Sequence, residues 1–155
     1  MKKFLTISNS NAITYKKIFP LIKENKMWLG VNWVKNFNRP NGDVQKFGNV
    51  CWFTNLEHNK RHEHLTLVDS YNSEDYPSYD NYDAIEVSKT VHIPNDYEGV
   101  MGVPISFLDK YCPEQFEIIG HAHDLDGHGK SISQFEVNGK GIYTRILIRN
   151  KHIEK

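Results

Sequence analysis

Apolar residues along this chain fall into short blocks whose period switches between that of a strand and that of a helix. Residues 4–8, F-L-T-I-S, read as a short buried strand. The polar turn Asn9-Ser10-Asn11 follows and can cap a helix through its side-chain oxygens. Over residues 12–24, Tyr15, Ile18, Phe19 and Ile22 recur at i, i+3, i+4, i+7, which predicts an amphipathic helix. Pro20 lacks the N–H for an i→i−4 bond, so the helix either kinks there or restarts near Phe19 after a loose first turn. Residues 27–37 and 50–55 are rich in aromatic and β-branched side chains and predict two strands. The stretch between them is dense in turn formers, and its Asn41-Gly42 is a hairpin signal.

Farther on, residues 65–68 (L-T-L-V) predict a strand, residues 70–82 an irregular tyrosine-rich loop, and residues 84–87 a further strand. Residues 95–120 have a local logic of their own. Gly99 and Gly102 punctuate the entry, and Pro104 stands where a first helical turn tolerates it. Ile105, Phe107 and Leu108 form an apolar face, and Tyr111-Cys112-Pro113 is a stop, so a short helix belongs here. Residues 116–120, F-E-I-I-G, predict a strand ending on glycine. Residues 132–138, the turn Gly139-Lys140-Gly141 and residues 143–149 read as a closing hairpin. Gly139-x-Gly141 lies between strands and is therefore no dinucleotide fingerprint.

The length, 155 residues, suits one domain with one sizeable core, and 39% hydrophobic with 25% charged residues is a globular composition. No run approaches the ~20 apolar residues of a membrane span, and the start of the chain lacks a signal-peptide core, so the expected location is cytoplasmic, with no membrane partner. Cys51 and Cys112 are accordingly expected as reduced thiols. The net charge is zero, but residues 1–64 hold 11 Lys/Arg against 4 Asp/Glu and residues 65–98 hold 1 against 8. A basic first part suits a phosphate-facing surface; alternatively the two segments neutralise each other in the fold.

Four places offer chemistry. Lys35, Arg39 and Lys46 stand beside Trp33, Phe37 and Phe47, with Lys60 and Arg61 downstream, and cations mixed with aromatics are found on nucleic-acid surfaces. The competing reading is that these aromatics are core and the cations merely solvated. Asn9, Ser10 and Asn11 lie at the carboxyl edge of the first strand, where α/β sheets bind ligands, although helix capping alone accounts for them. His58 and His62 have zinc-compatible i, i+4 spacing, but no Glu completes a helical metalloprotease motif. His121, His123, Asp124, Asp126 and His128 are donor-rich as well, yet Gly127 and Gly129 make that stretch read as a flexible turn. No metal site is assigned.

The run GVMGVPISFLDKYCPEQFEIIG resembles the signature of the EcoRI-type adenine-specific DNA methyltransferases, as do residues 11–30 (NAITYKKIFPLIKENKMWLG), 51–56 (CWFTNL) and 79–87 (YDNYDAIEV). Four ordered blocks carry the resemblance, over roughly residues 1–120. It implies transfer of a methyl group from S-adenosylmethionine to the N6 of adenine in duplex DNA. Such enzymes hold the cofactor over a glycine-rich turn after the first strand and the adenine on an Asn/Asp-Pro-Pro-aromatic motif. This sequence has neither: its six prolines are all isolated, and its early strand runs into S-N-S-N.

The resemblance therefore implies an α/β fold built from the later strands of an incomplete Rossmann-like methyltransferase sheet, with a β-rich target-recognition region. Within one domain, residues 1 to about 30 are expected to be the last strand–helix unit of the sheet and about 31–155 the recognition part. The expected identity is the C-terminal part of a DNA adenine-N6 methyltransferase of a restriction–modification or phage system, truncated or split. Alone it is expected to be inactive and not to bind S-adenosylmethionine. Its expected partners are duplex DNA and either a separate N-terminal half or a second copy of itself. The candidate residues are Asn9 and Asn11 for a cofactor or base pocket, and Lys35, Arg39, Lys46, Lys60 and Arg61 for DNA. A non-enzymatic DNA-binding module and a histidine-based metal enzyme are the alternatives.

Overall fold

A computed structural model describes residues 2–126, 128 and 130–153. The chain divides into two compact units, Met1–Lys60 and Arg61–Lys155.

The first unit begins with strand β1 (Leu5–Asn9), followed by a 3-10 turn (Ser10–Thr14), a helix α1 (Phe19–Lys23) and the long strands β2 (Trp28–Asn38) and β3 (Val44–Thr54). Asn9 caps the 3-10 turn: its side chain accepts the Asn11 backbone N–H at 2.8 Å. Of the two outcomes that Pro20 allows over residues 12–24, the restart is the one that forms. Tyr15 is extended, and the helix restarts at Phe19 with Pro20 in its first turn, where a missing N–H leaves no bond unmade. The helix ends at Asn25, whose left-handed backbone (φ 59°) is a common C-terminal stop.

β3 lies between β1 and β2 and runs antiparallel to both, so β1 and β2 are parallel to each other and joined by a helical crossover. Ala12, Ile13, Phe19, Ile22, Met27, Leu29, Cys51 and Phe53 form the buried apolar set of this unit. β1 is not the buried strand that its sequence suggests. It occupies an edge of the sheet, only Ile7 is half-buried, and Leu5 remains 55% exposed. Close packing of β2 on β3 requires Gly30, where a Cβ would come within 2.8 Å of the Trp52 Cβ.

A 3-10 turn, Asn59–His62, leads into the second unit. Its main sheet has the order β4 (Ile85–Glu86), β5 (Met101–Pro104), β9 (Arg145–Asn150), β6 (Phe116–His121), with β4–β5 parallel and the other pairs antiparallel. The helix expected after Pro104 is a 3-10 turn, Ile105–Asp109, whose Phe107 and Leu108 are buried as the apolar face required. Residues 65–68 form no strand. Leu65 instead exchanges two 2.7 Å bonds with the Gln115 side chain, and Val68 is 75% exposed.

The closing hairpin also differs from expectation. It is a small ribbon of β7 (Phe135–Val137) and β8 (Lys140–Ile142), turning at Asn138-Gly139, both with positive φ. Residues 145–150 leave it to become a central strand of the main sheet. Their run Ile146-Leu147-Ile148 is fully buried, as a strand covered on both faces needs to be.

Across this sheet Glu86 and Arg145 form a buried ion pair with two parallel bonds, Nε–Oε1 at 2.9 Å and Nη2–Oε2 at 3.0 Å. The Tyr79 hydroxyl donates to the same carboxylate at 2.8 Å, and burial, then the Glu86 charge, raises the Tyr79 pKa well above its ordinary value. The fold is thus mixed α/β, mostly sheet with few helices, and no helix among the described residues is long and apolar enough to cross a membrane.

Candidate nucleic-acid interface

The hairpin of β2 and β3 brings three of the candidate cations together. Lys35 and Lys46 are exposed on opposite strands, Asn36 pairing with Lys46, and Arg39 sits at the turn. The turn is tightly specified: Arg39 N–H donates to Asp43 O at 2.7 Å, Asp43 N–H to Asn41 Oδ1 at 3.0 Å, and Gly42 takes a φ of 92°. The Arg39 guanidinium donates to Gln45 Oε1 across the ribbon. The aromatics here are not core. Phe37 is 41% exposed and meets Phe47 edge-to-face at 5.2 Å, while Trp33 and Phe47 are half-buried.

The other candidates are placed differently. Lys60 donates to Val31 O at 2.8 Å, which holds its ammonium against β2. Arg61 belongs to the second unit and is only 6% exposed, which removes it from the set a phosphate reaches from solvent. Asn9 and Asn11 are exposed at the end of β1, with the Asn9 side-chain oxygen engaged in the cap. That short capped turn has no glycine-lined cradle, so the residues present do not by themselves fit S-adenosylmethionine.

The histidines are dispersed. His58 Nε2 lies 2.9 Å from Leu29 O, and His62 Nδ1 lies 2.7 Å from Glu114 Oε1. Glu114 also accepts from the Cys112 thiol at 3.0 Å, and these bonds, the Cys112 bond first, lower its pKa to about 2. Cys51 and Cys112 are both buried thiols. In the 121–130 stretch Asp126 accepts the backbone N–H groups of His128 and Lys130, closing a turn whose Gly127 and Gly129 lie outside the described residues. Among the described residues no three His, Cys, Asp or Glu side chains converge to hold a metal ion.

His121 is buried, 3% exposed, and burial, then the neighbouring His123, pushes its pKa down to about 4. The unfolded chain, with an ordinary value near 6.5, then binds this proton more readily than the folded one. Stability is lost as pH falls from about 6.5 towards about 4, by up to about 3 kcal/mol. Urea midpoints at pH 6.5 and pH 4.5 should separate less in His121→Asn than in the unaltered chain. Equal slopes in the two proteins would contradict this assignment.

Charge separates by unit. Met1–Lys60 carries 10 Lys/Arg against 3 Asp/Glu, and Arg61–Lys155 carries 9 against 16, so the first is +7 and the second −7. The second unit does have a cleft of about 440 Å³, but Asp69, Asp75, Asn72 and His92 line it and bond one another, His92 to Asp69 at 2.8 Å and Asn72 to Asp75 at 2.9 Å. An acidic, internally bonded cleft does not suit phosphate. The described ribbon of the first unit, with Lys35, Arg39 and Lys46 exposed, has the opposite sign.

Comparison with known proteins defines the class first, since the curated relatives are type II methyltransferases. A family model described as "Adenine-specific methyltransferase EcoRI" matches residues 1–151, and the chain belongs to that family. The match runs well beyond residue 120, through β9. Type II methyltransferase M.EcoRI of Escherichia coli is 48% identical over 99% of this chain and 52% of its own length. Type II methyltransferase M.MpnI of Mycoplasma pneumoniae is 34% identical over 97% of this chain and 57% of its own. Type II methyltransferase M.MgeORF184P of Mycoplasma genitalium is 34% identical over 98% and 58%. The chain thus spans about half the length of the curated relatives it matches. No solved structure matches it.

Proposed function

We propose that this chain supplies the C-terminal, target-recognising part of a DNA adenine-N6 methyltransferase of the restriction–modification or phage type, acting as part of a truncated or split enzyme. The observation that carries this reading is the exposed β2–β3 ribbon with Lys35, Arg39 and Lys46 in a chain of this family. A two-stranded ribbon is narrow enough to enter a major groove, and cations along it suit phosphates.

The topology of the first unit supports its being the last part of a Rossmann-like sheet. β1 and β2 are parallel with a helical crossover, and the antiparallel β3 inserts between them, as mixed doubly wound sheets allow. In this reading residues 1 to about 30 give the last strand–helix unit, and the recognition part begins with the ribbon. β1 has no strand on its outer side among the described residues, and an N-terminal methyltransferase half or a second copy of this chain would cover that edge. The family implies S-adenosylmethionine as methyl donor. Asn9 and Asn11, at the carboxyl end of β1, are the residues of this chain placed to line one wall of a cofactor or base pocket once such a half is present. Cytoplasmic location is part of the same proposal.

Affinity for duplex DNA should be low in sequence preference and steep in salt. Each phosphate bound contributes about 0.9 to the slope of log K against log salt. Charge reversal at Arg39 and Lys46 is expected to weaken binding and to flatten that slope by about 0.9 for each phosphate no longer neutralised. Fluorescence anisotropy with a labelled duplex at several salt concentrations measures both. No binding at low salt, or binding indifferent to the two reversals, would sink the proposal.

A further inference from the structure

The ladder of β2 and β3 shifts register between Val34 and Asn36, and β1 pairs with β3 only as far as Asn9 opposite Val50. Beyond these points the hairpin is a ribbon of two strands, whose side chains alternate between two faces. Residues directly opposite each other in an antiparallel pair share a face. Asn36 and Lys46, then Asn38 and Val44, therefore lie on one face, and Phe37 and Gln45 on the other.

The face of Phe37 and Gln45 is taken up by its own side chains. Phe37 and Phe47 meet edge-to-face at 5.2 Å, and the Gln45 amide oxygen accepts from the Arg39 guanidinium. At the turn the Asn41 amide is engaged with Asp43, Nδ2 donating to Oδ2 and Oδ1 accepting the backbone N–H, both at 3.0 Å. The opposite face differs. Asn36 and Asn38 are exposed, and neither side chain has a hydrogen bond among the described residues. Val44, across from Asn38, is 54% exposed, and Lys46, across from Asn36, is exposed as well.

A carboxamide presents a donor and an acceptor side by side. In the major groove adenine alone shows the matching pair, the N7 acceptor and the N6 amino group, whereas guanine shows two acceptors. Thymine, the partner of adenine, adds a methyl group that suits an apolar side chain. The spacing agrees: side chains two residues apart on a strand are about 6.8 Å apart, and so are bases two steps apart along one DNA strand.

We propose that the face of Asn36, Asn38 and Val44 lies on the floor of the major groove and selects A·T pairs. Each Asn takes one adenine, Nδ2–H donating to N7 and Oδ1 accepting from N6, with Val44 on a thymine methyl and Lys46 on a phosphate at the side. The proposal rests on the DNA-binding reading above and adds what the ribbon reads. Phosphate contacts carry no sequence information, so selection falls to these uncharged side chains.

The test measures the full chain on labelled duplexes of one length at one salt concentration: alternating A·T pairs, alternating G·C pairs, and A·T pairs with 7-deazaadenine, which lacks the N7 acceptor. The A·T duplex is expected to bind about tenfold more tightly than the G·C duplex, within the range of one bidentate pair. That is small against the roughly thousandfold or more of a complete specific interface, in keeping with the low overall preference expected above. 7-Deazaadenine should remove most of the preference, and so should Asn36→Ala combined with Asn38→Ala. The double variant should keep the salt slope of the unaltered chain, because amides neutralise no phosphate. Uracil in place of thymine should weaken binding about threefold, the weight of one methyl group, and should make no difference to Val44→Ser. Equal affinity for A·T and G·C duplexes would overturn the assignment and leave DNA binding standing. A preference that persists with 7-deazaadenine on the unaltered chain, or in the double variant, would mean that duplex shape is read instead and would overturn it too. Uracil bound as tightly as thymine would overturn the Val44 contact. Binding to none of the duplexes would overturn the DNA reading and this proposal together.

Discussion

Labelled methyl from S-adenosylmethionine is expected to reach duplex DNA only when this chain is mixed with one carrying a glycine-rich strand-to-helix turn and an Asn/Asp-Pro-Pro-aromatic motif. Methyl transfer requires the donor and the adenine amino group to be held in line, and orientation of that kind is worth about 7–11 kcal/mol of barrier. This sequence has no Pro-Pro pair, and the strand that opens its sheet runs into a capped 3-10 turn. With this chain alone, incorporation should equal that of a blank. With the complementary half present it should rise by several orders of magnitude, and substitutions at Asn9 or Asn11 should lower it. Methylation by the purified chain on its own would overturn the reading of it as the recognition part.

Arg145→Met is expected to destabilise the second unit by about 3–5 kcal/mol, because it strands a buried carboxylate. Glu86 is 6% exposed and receives two guanidinium bonds and the Tyr79 hydroxyl. Without Arg145 its charge keeps only the Tyr79 hydroxyl in a buried site. Replacing both partners, Glu86→Leu with Arg145→Met, removes the stranded charge and should recover much of the loss. Urea denaturation of the single and double variants reads the difference. A single-variant loss within about 1 kcal/mol would mean that the pair is hydrated like a surface bridge.

The parts of this fold legible in the sequence were those decided by neighbours in the chain. The Asn41-Gly42 turn, the irregular tyrosine-rich loop and the apolar face after Pro104 depend on local backbone preference, and each formed near its expected place. Pro20 told of an interrupted helix, and of the two outcomes it allowed, the restart at Phe19 is the one observed. What escaped was decided by distant partners. Residues 65–68 have the composition of a strand, but Gln115, fifty positions away from Leu65, takes that residue's backbone bonds. The partner strands of residues 145–150 start at Met101 and Phe116, so a hairpin with the preceding ribbon was the nearest reading and the wrong one.

The candidate site divides in the same way. Lys35, Arg39 and Lys46 share one hairpin, so pattern alone could group them. The burial of Arg61 could not be read from a charge run, since E-H-N-K-R-H-E-H looks uniformly solvated. Gly48 lay outside both predicted strands, 27–37 and 50–55, so the pattern did not mark the ladder irregularity between Val34 and Asn36.

The division of charge between the two units has a practical consequence for anyone handling the protein. A net charge of zero and a sequence pI near 7.1 suggest a molecule indifferent to ion exchangers at neutral pH. One chain carrying a +7 unit and a −7 unit is instead a ligand for resins of either sign, held on each by a different half. Salt is expected to weaken retention on either resin, since the Debye length falls from about 30 Å at 0.01 M to about 10 Å at 0.1 M.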